Sequence, residues 1–233
     1  MSFYNEIAVK KIPALLLSLI IFLAISGELQ ARILTVTINA PIHPVTAEII
    51  LKALEKGREE QARLLIIKLN TPGGLDSSMR EIIEGIVNSP VPVVAYVSPA
   101  GARAASAGFF IGVACDVFAM APGTSTGAAH PVSIGLTGQN QPDKTMEEKV
   151  THDAAAYIRT LAEKRGRNIK MAEDAVRQSL SYTEQEALKG RLIDLVVNSE
   201  TELVRALDGR QVRRFDGRLE ELKLKDEQLL EVP

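Results

Sequence analysis

The chain has 233 residues, 46% of them hydrophobic and 24% charged, with a formal net charge of −2. That describes a globular protein with length for one large domain plus small appendages, and it gives no electrostatic reason for a nucleic-acid partner. Trp is absent and aromatics make up only 4%, which argues against base-stacking surfaces, and the single cysteine, Cys115, rules out an intramolecular disulfide or a cysteine-based metal cluster.

In chain order, Lys10 and Lys11 precede the uncharged run "PALLLSLIIFLAISG", residues 13–27. A basic start followed by about fifteen apolar residues is the signal-peptide pattern, short for a membrane span of roughly twenty. Residues 1–31 are therefore expected to be a signal peptide or an N-terminal membrane anchor. The chain would then be exported, and either membrane-anchored or periplasmic or extracellular.

From Arg32 the pattern alternates. "ILTVTIN" (33–39) reads as a strand, and residues 46–62 carry apolar side chains at helical spacing. "RLLIIKLN" (63–70) is apolar on both faces, as a buried parallel strand is. A helix over 77–89, a strand over 91–98, a small-residue helix over 103–115 and a strand over 116–121 follow. This cadence predicts an α/β domain with right-handed crossovers. Residues 122–144 hold four Gly and three Pro without periodicity, and read as a functional or mobile loop. Helices are expected over 147–166 and 170–178, then a short helix, a glycine turn and a strand over 183–197. Residues 200–233 read as a charged, peripheral tail with a possible amphipathic end, "LEELKLKDEQLLE".

Two segments draw attention for chemistry. "NTPGG" (70–74) follows a strand directly, at the end of the sheet where open α/β folds place ligands, and its glycines leave backbone N–H groups unshielded. "GARAASAGFF" (101–110) sets Ser106 among small residues. If Ser106 opens a helix, the N–H groups there are free at the positive end of the dipole, and with one from the glycine pair they suit an oxyanion. Each segment has a plainer reading, a tight turn for the first and close helix packing for the second.

Together, "LNTPGG", "GARAASAGFFI", "AMAPGTSTGAAHPV" and "LSYTEQEALKGRLIDLVV" resemble the nodulation-efficiency-protein-D family over about residues 33–207. Its members are membrane-associated serine proteases of the Clp protease/crotonase fold, a stacked parallel sheet with surrounding helices, and archaeal members cut a stomatin-like partner. The resemblance implies a protease domain over 32–199, with Ser106 as nucleophile and Lys149 as general base. It also implies the backbone N–H groups of Gly74 and Ala107 as oxyanion hole, with Gly73 and His130 lining the substrate site. A lysine ordinarily keeps its proton to about pH 10.4, so a base working near neutrality needs surroundings that favour the free amine by about 4 kcal/mol. Val150, Ala154 and Ala155 would help form such a cleft, and Glu147 and Glu148 would oppose it if they faced the amine. A bulky residue at 74 is expected to remove activity without unfolding the domain.

His130 resembles in position the catalytic histidine of Clp proteases, but where those enzymes carry an aspartate this sequence has Arg177 and Gln178. His130 and Lys144 are thus the alternatives to Lys149. His43 and His152 have no supporting context, and neither a metal site nor a cofactor is expected. The leading reading is a Ser-Lys endopeptidase acting on hydrophobic segments of a stomatin-like membrane protein, with a homodimer or larger oligomer and membrane association through the N-terminal segment. The rivals are a catalytically inactive scaffold for such a protein, and a crotonase-type acyl-CoA enzyme. Family members carry hydrophobic spans and a small β-barrel after the protease domain, whereas nothing after residue 121 here is apolar enough for a membrane crossing.

Overall fold

The computed structural model describes residues 32–132, 144–225 and 227–232. The expected signal peptide or anchor lies outside the described residues. The frame is a six-stranded sheet, all of whose pairings are parallel, in the order β11-β1-β2-β3-β5-β8. Its strands are β1 (Arg32–Ile38), β2 (Leu64–Leu69), β3 (Val93–Val97), β5 (Val117–Met120), β8 (Leu195–Val196) and β11 (Gln228–Glu231). The continuous apolar runs of β2, β3 and β5 have a direct cause, since both faces are covered. Leu65, Ile67, Val93, Ala95 and Phe118 enter one core, while Leu64, Ile66, Val94, Tyr96 and Val117 enter a second on the opposite face.

The first core is roofed by α1 (Pro44–Glu59), α2 (Asp76–Asn88), α3 (Ala107–Ala114) and the long α4 (Lys144–Arg165), with α5 (Ile169–Arg177) and α6 (Glu184–Lys189) beyond. His43, without a role in the sequence reading, caps α1: its Nδ1 accepts from the Val45 N–H at 3.2 Å. The second core is closed by α7 (Glu200–Leu207) and the hairpin β9 (Gln211–Arg213)–β10 (Leu219–Glu221), through Leu203, Leu207, Val212, Leu222 and Leu224.

The segment after residue 200 is therefore not a peripheral tail. It covers one face of the sheet and returns as β11, an edge strand paired with β1, and the Val232 N–H reaches Thr35 O at 2.7 Å. Within the stretch read as an amphipathic end, Leu219–Glu221 and Gln228–Glu231 are strands. The charges are what hid this, because each short strand turns a single side chain inward, fully buried only at Val212, and leaves the rest in water.

A smaller sheet joins β4 (Arg103–Ala105), β6 (Ser125–Gly127) and β7 (Ser181–Thr183) in that order, and it carries the site. The small-residue stretch read as a helix from 103 divides into β4 and α3, with Ser106 at the junction. Part of the stretch read as loop is strand β6, and α4 begins at Lys144. Alanines and glycines of α3 do serve close packing: a Cβ at Gly108 would run into Thr71, and one at Gly112 into the ring of Phe118. The packing explanation holds for those positions. It does not hold for Ser106.

Candidate active site

Ser106 lies at φ +52°, ψ −119°, a backbone region that costs a non-glycine residue about 1–3 kcal/mol. Its surroundings impose this geometry. The Ser106 N–H donates to Gly127 O at 2.9 Å, locking it onto β6, while Ser106 O accepts from Phe109 at 3.0 Å in the first turn of α3. A strained turn from strand to helix lifts a serine hydroxyl out of the backbone crowd, as the nucleophile turns of α/β-hydrolases do. The Ser106 hydroxyl has no hydrogen-bond partner among the described residues.

The glycine loop is pressed against it. Thr71, itself buried, is stitched to β4 by its N–H to Arg103 O at 2.7 Å and by Ala105 N–H to Thr71 O at 3.1 Å. Gly73 (φ +113°) passes so close to Ser106 that a Cβ there would lie 2.9 Å from the hydroxyl oxygen and closer still to the serine Cβ. Ile42 takes up the neighbouring groups, its N–H donating to Gly73 O and its carbonyl accepting from Leu75. The N–H of Gly74 between them has no acceptor among the described residues, and neither has that of Ala107, the first residue of α3. Both residues line the same cavity as Ser106, so two unpaired donors border the place where a carbonyl oxygen under attack would acquire charge.

That cavity holds about 600 Å³. Ser106, Ala107 and Gly74 form one wall, and Lys149, Met146, Val150 and Ala154 of α4 another. Lys149 is exposed and, since the hydroxyl is unpartnered, does not reach it at hydrogen-bond distance here. Such bonds often tighten only around substrate. Ala155 belongs to the core instead. Glu147 and Glu148 do not share the lysine's cavity; they line a separate one with His130, Lys144, His152 and Arg177. His130 is thus turned away from Ser106. Its Nδ1 stands 3.0 Å from Val176 O, and since a carbonyl only accepts, that nitrogen carries the proton. Its Nε2 is 3.8 Å from Glu147. Of the three bases the sequence offered, Lys149 alone borders the cleft of Ser106.

The sequence reading missed the charged brace of this cleft. Arg80 donates to Asp76 Oδ2 at 2.8 Å and to Asp153 Oδ2 at 2.5 Å, joining α2 to α4. Its guanidinium lies 4.6 Å from the ring centroid of Tyr157, and Tyr157 stacks on Phe110 of α3 at 6.0 Å. Burial would loosen the Arg80 proton, but Asp76 and then Asp153 outweigh it and the net shift is upward. The stripe Met146, Val150, Asp153, Tyr157 at spacings of four, three and four was the available signal for one face of α4.

A second cavity, of about 560 Å³, opens at the carboxyl ends of β1, β2, β3 and β5. In it Lys68 pairs with Glu200 at 2.9 Å, Asn70 bonds Asn39 and the Arg103 N–H, and Ser199 caps α7, so the amine that lines it is already held by a carboxylate.

Residues 32–232 match the family model described as NfeD1b, N-terminal domain. The chain belongs to this family. It is 35% identical over 201 residues to the membrane-bound protease PH1510 of Pyrococcus horikoshii, covering 85% of this chain and 45% of that protein. It is 27% identical over 200 residues to the membrane protein NfeD1b of Bacillus subtilis, covering 84% and 44%. The chain thus spans a little under half the length of these curated relatives. Among solved structures, a serine-to-alanine mutant of the 1510-N membrane-bound stomatin-specific protease superposes with a TM-score of 0.80 at 32% identity, covering 88% of this chain and 98% of that one. A lysine-to-alanine mutant of the same protease with a substrate peptide gives 0.80 at 31%, covering 88% and 93%. The NfeD1b-type domain here is accordingly an α/β domain of the Clp protease-like kind. Among its described residues no helix is long and apolar enough to cross a membrane.

Proposed function

We propose that this NfeD1b-type domain is a serine endopeptidase in which Ser106 attacks, Lys149 takes its proton, and the N–H groups of Gly74 and Ala107 hold the oxyanion. The observation that carries the reading is the placement of an unpartnered, strain-presented serine hydroxyl in one cleft with a lysine and two unpaired backbone donors. Attack of the Ser106 oxygen on a peptide carbonyl forms a tetrahedral oxyanion as the proton passes to the lysine amine, and breaking its C–N bond leaves the acyl ester on Ser106. The resulting ammonium then protonates the departing amine, and water, deprotonated by the same lysine, releases the acyl group. The names of the solved relatives agree, since a serine and a lysine are the residues replaced there.

The rim of the cleft suggests the substrate. Leu75, Val132, Met146 and Val150 are exposed and border it, four of the nine exposed large apolar residues among those described. Leaving that much apolar surface in water favours a partner with apolar side chains. A hydrophobic segment of a stomatin-like membrane protein fits that rim, in line with solved relatives whose names call them stomatin-specific, and membrane association through residues 1–31 would bring the two together. A crotonase-type acid and base would need free carboxylates in the cleft, but Asp76 and Asp153 are both held by Arg80.

The test is cleavage of an internally quenched peptide with Leu, Val and Phe around its centre by the full chain, by Ser106→Ala and by Lys149→Ala. Cleavage by the first and at least a thousandfold loss in both variants supports the dyad. Undiminished cleavage by Ser106→Ala overturns it.

A further inference from the structure

The cleft contains one pairing that the chemistry above leaves unused. Asp153 stands one helical turn after Lys149 on α4, and both border the cavity of Ser106. A carboxylate in that position favours an ammonium on its neighbour, which works against a base that has to be neutral. Arg80 reaches across from α2 and takes up that carboxylate, while its Nε holds Asp76.

We propose that Arg80 is a positioning residue for charge: by binding Asp153 it withdraws the only carboxylate of α4 that lines the lysine's cavity, and so keeps the Lys149 amine available as base. The inference rests on the dyad reading. The other charged groups around Lys149 are accounted for. From α2, Asp76 lines the cavity and is bound by the Nε of the same guanidinium, so one cation is shared between the two carboxylates; α3 contributes no charged residue. On α4 itself Lys144, Glu147, Glu148 and His152 border the neighbouring cavity, together with His130 from the chain after β6 and Arg177 from α5. Arg80 is placed to act because it is fixed from three sides, by two carboxylates and the face of Tyr157.

The acid limb of the pH–rate profile distinguishes this from simple bracing. Arg80→Gln frees Asp153 and removes a cation, and both changes favour the ammonium, so the limb of kcat/KM moves up by about half a pH unit at low ionic strength. Asp153→Asn removes the anion and leaves the cation, so the limb moves down by about a third of a unit. The double variant returns it toward the wild-type position. Bracing alone predicts instead that both single variants lose rate with the limb unmoved, and that result overturns the proposal, as do shifts of like sign. The profile is measured on the full chain with the quenched peptide and repeated as the rate of Ser106 labelling by a fluorophosphonate. If Arg80→Gln does not fold, Asp153→Asn still decides, since its carboxylate is 68% exposed. Wild-type protein that neither cleaves nor labels defeats the dyad and this inference with it; wild-type cleavage with unmoved limbs defeats the inference alone.

Discussion

Replacing Gly73 by alanine tests whether the glycine loop exists to let the backbone pass beside Ser106. The new Cβ would lie 2.9 Å from Ser106 Oγ, 3.2 Å from Ala105 O and closer again to Ser106 Cβ. Neither neighbour yields easily, because Ser106 is tied to Gly127 and Ala105 to Thr71. Overpacking of this kind costs about 1–3 kcal/mol. The left-handed φ of +113° adds about 1 kcal/mol for a residue with a Cβ. Gly73→Ala should therefore lower stability to urea by about 2–4 kcal/mol. Gly101→Ala is the internal control: it also has a left-handed φ, +86°, but nothing stands within 4 Å of its Cβ, so it pays only the backbone cost of about 1 kcal/mol. The difference between the two isolates the crowding of the serine. Relief of that crowding moves the hydroxyl, and a displacement near 1 Å costs about a hundredfold in rate. The assay is urea unfolding beside fluorophosphonate labelling, in conditions where both variants are folded. Gly73→Ala that labels at the wild-type rate would refute the reasoning. The same geometry corrects the expectation for Gly74. A Cβ there falls on the carbonyl of Ile42, so a bulky residue at 74 disrupts the Ile42–Gly74 bridge as well as the N–H proposed to hold the oxyanion.

Other predictions concern the buried charges, the thiol and the rim. Arg165→Met leaves the buried Asp116 without its 2.6 Å partner, but Arg214 remains 3.4 Å from the same oxygen, so the loss of stability should sit near the low end of the usual range, about 3 kcal/mol in thermal or urea unfolding. Burial pushes the Cys115 thiol up to about 12. Its neutral form is thus favoured by the fold: the stability is present below the ordinary thiol range and is lost between pH 9 and 12, at about 1.4 kcal/mol per pH unit relative to Cys115→Ala. The native thiol should also stay unreactive to a disulfide reagent at pH 8 and react fully once unfolded. Met146→Asp and Val150→Asp, on exposed rim positions, should raise KM for an apolar peptide about tenfold while leaving the melting temperature within a few degrees.

The parallel frame was legible because β2, β3 and β5 are apolar on both faces and are separated by helices of clear periodicity. Ser106 and the glycine pair each had a plainer reading alone, and stood out only once the family resemblance joined the two segments. The break of residues 103–115 into β4 and α3 was hidden, since alanine suits both states at such short length and only the left-handed turn at Ser106 separates them. The role of residues after 200 was hidden by their charge, although Leu203, Leu207, Val212, Leu222 and Leu224 close the second core. From its resemblance in position to the catalytic histidine of Clp proteases, His130 is expected to line the substrate site, with the place of a base as an alternative. In three dimensions the Val176 carbonyl turns it into a different cavity, a contact that no local pattern announces. Arg80 went unseen because, although Asp76 lies one turn before it on α2, Asp153 lies on a helix 73 residues further along the chain.

The measurement that bears most directly on the central claim is mass-spectrometric mapping of the full chain after treatment with a fluorophosphonate. The account predicts one adduct, on Ser106, formed far more slowly in Lys149→Ala and absent in Ser106→Ala. An adduct elsewhere, or none on folded protein, would contradict it.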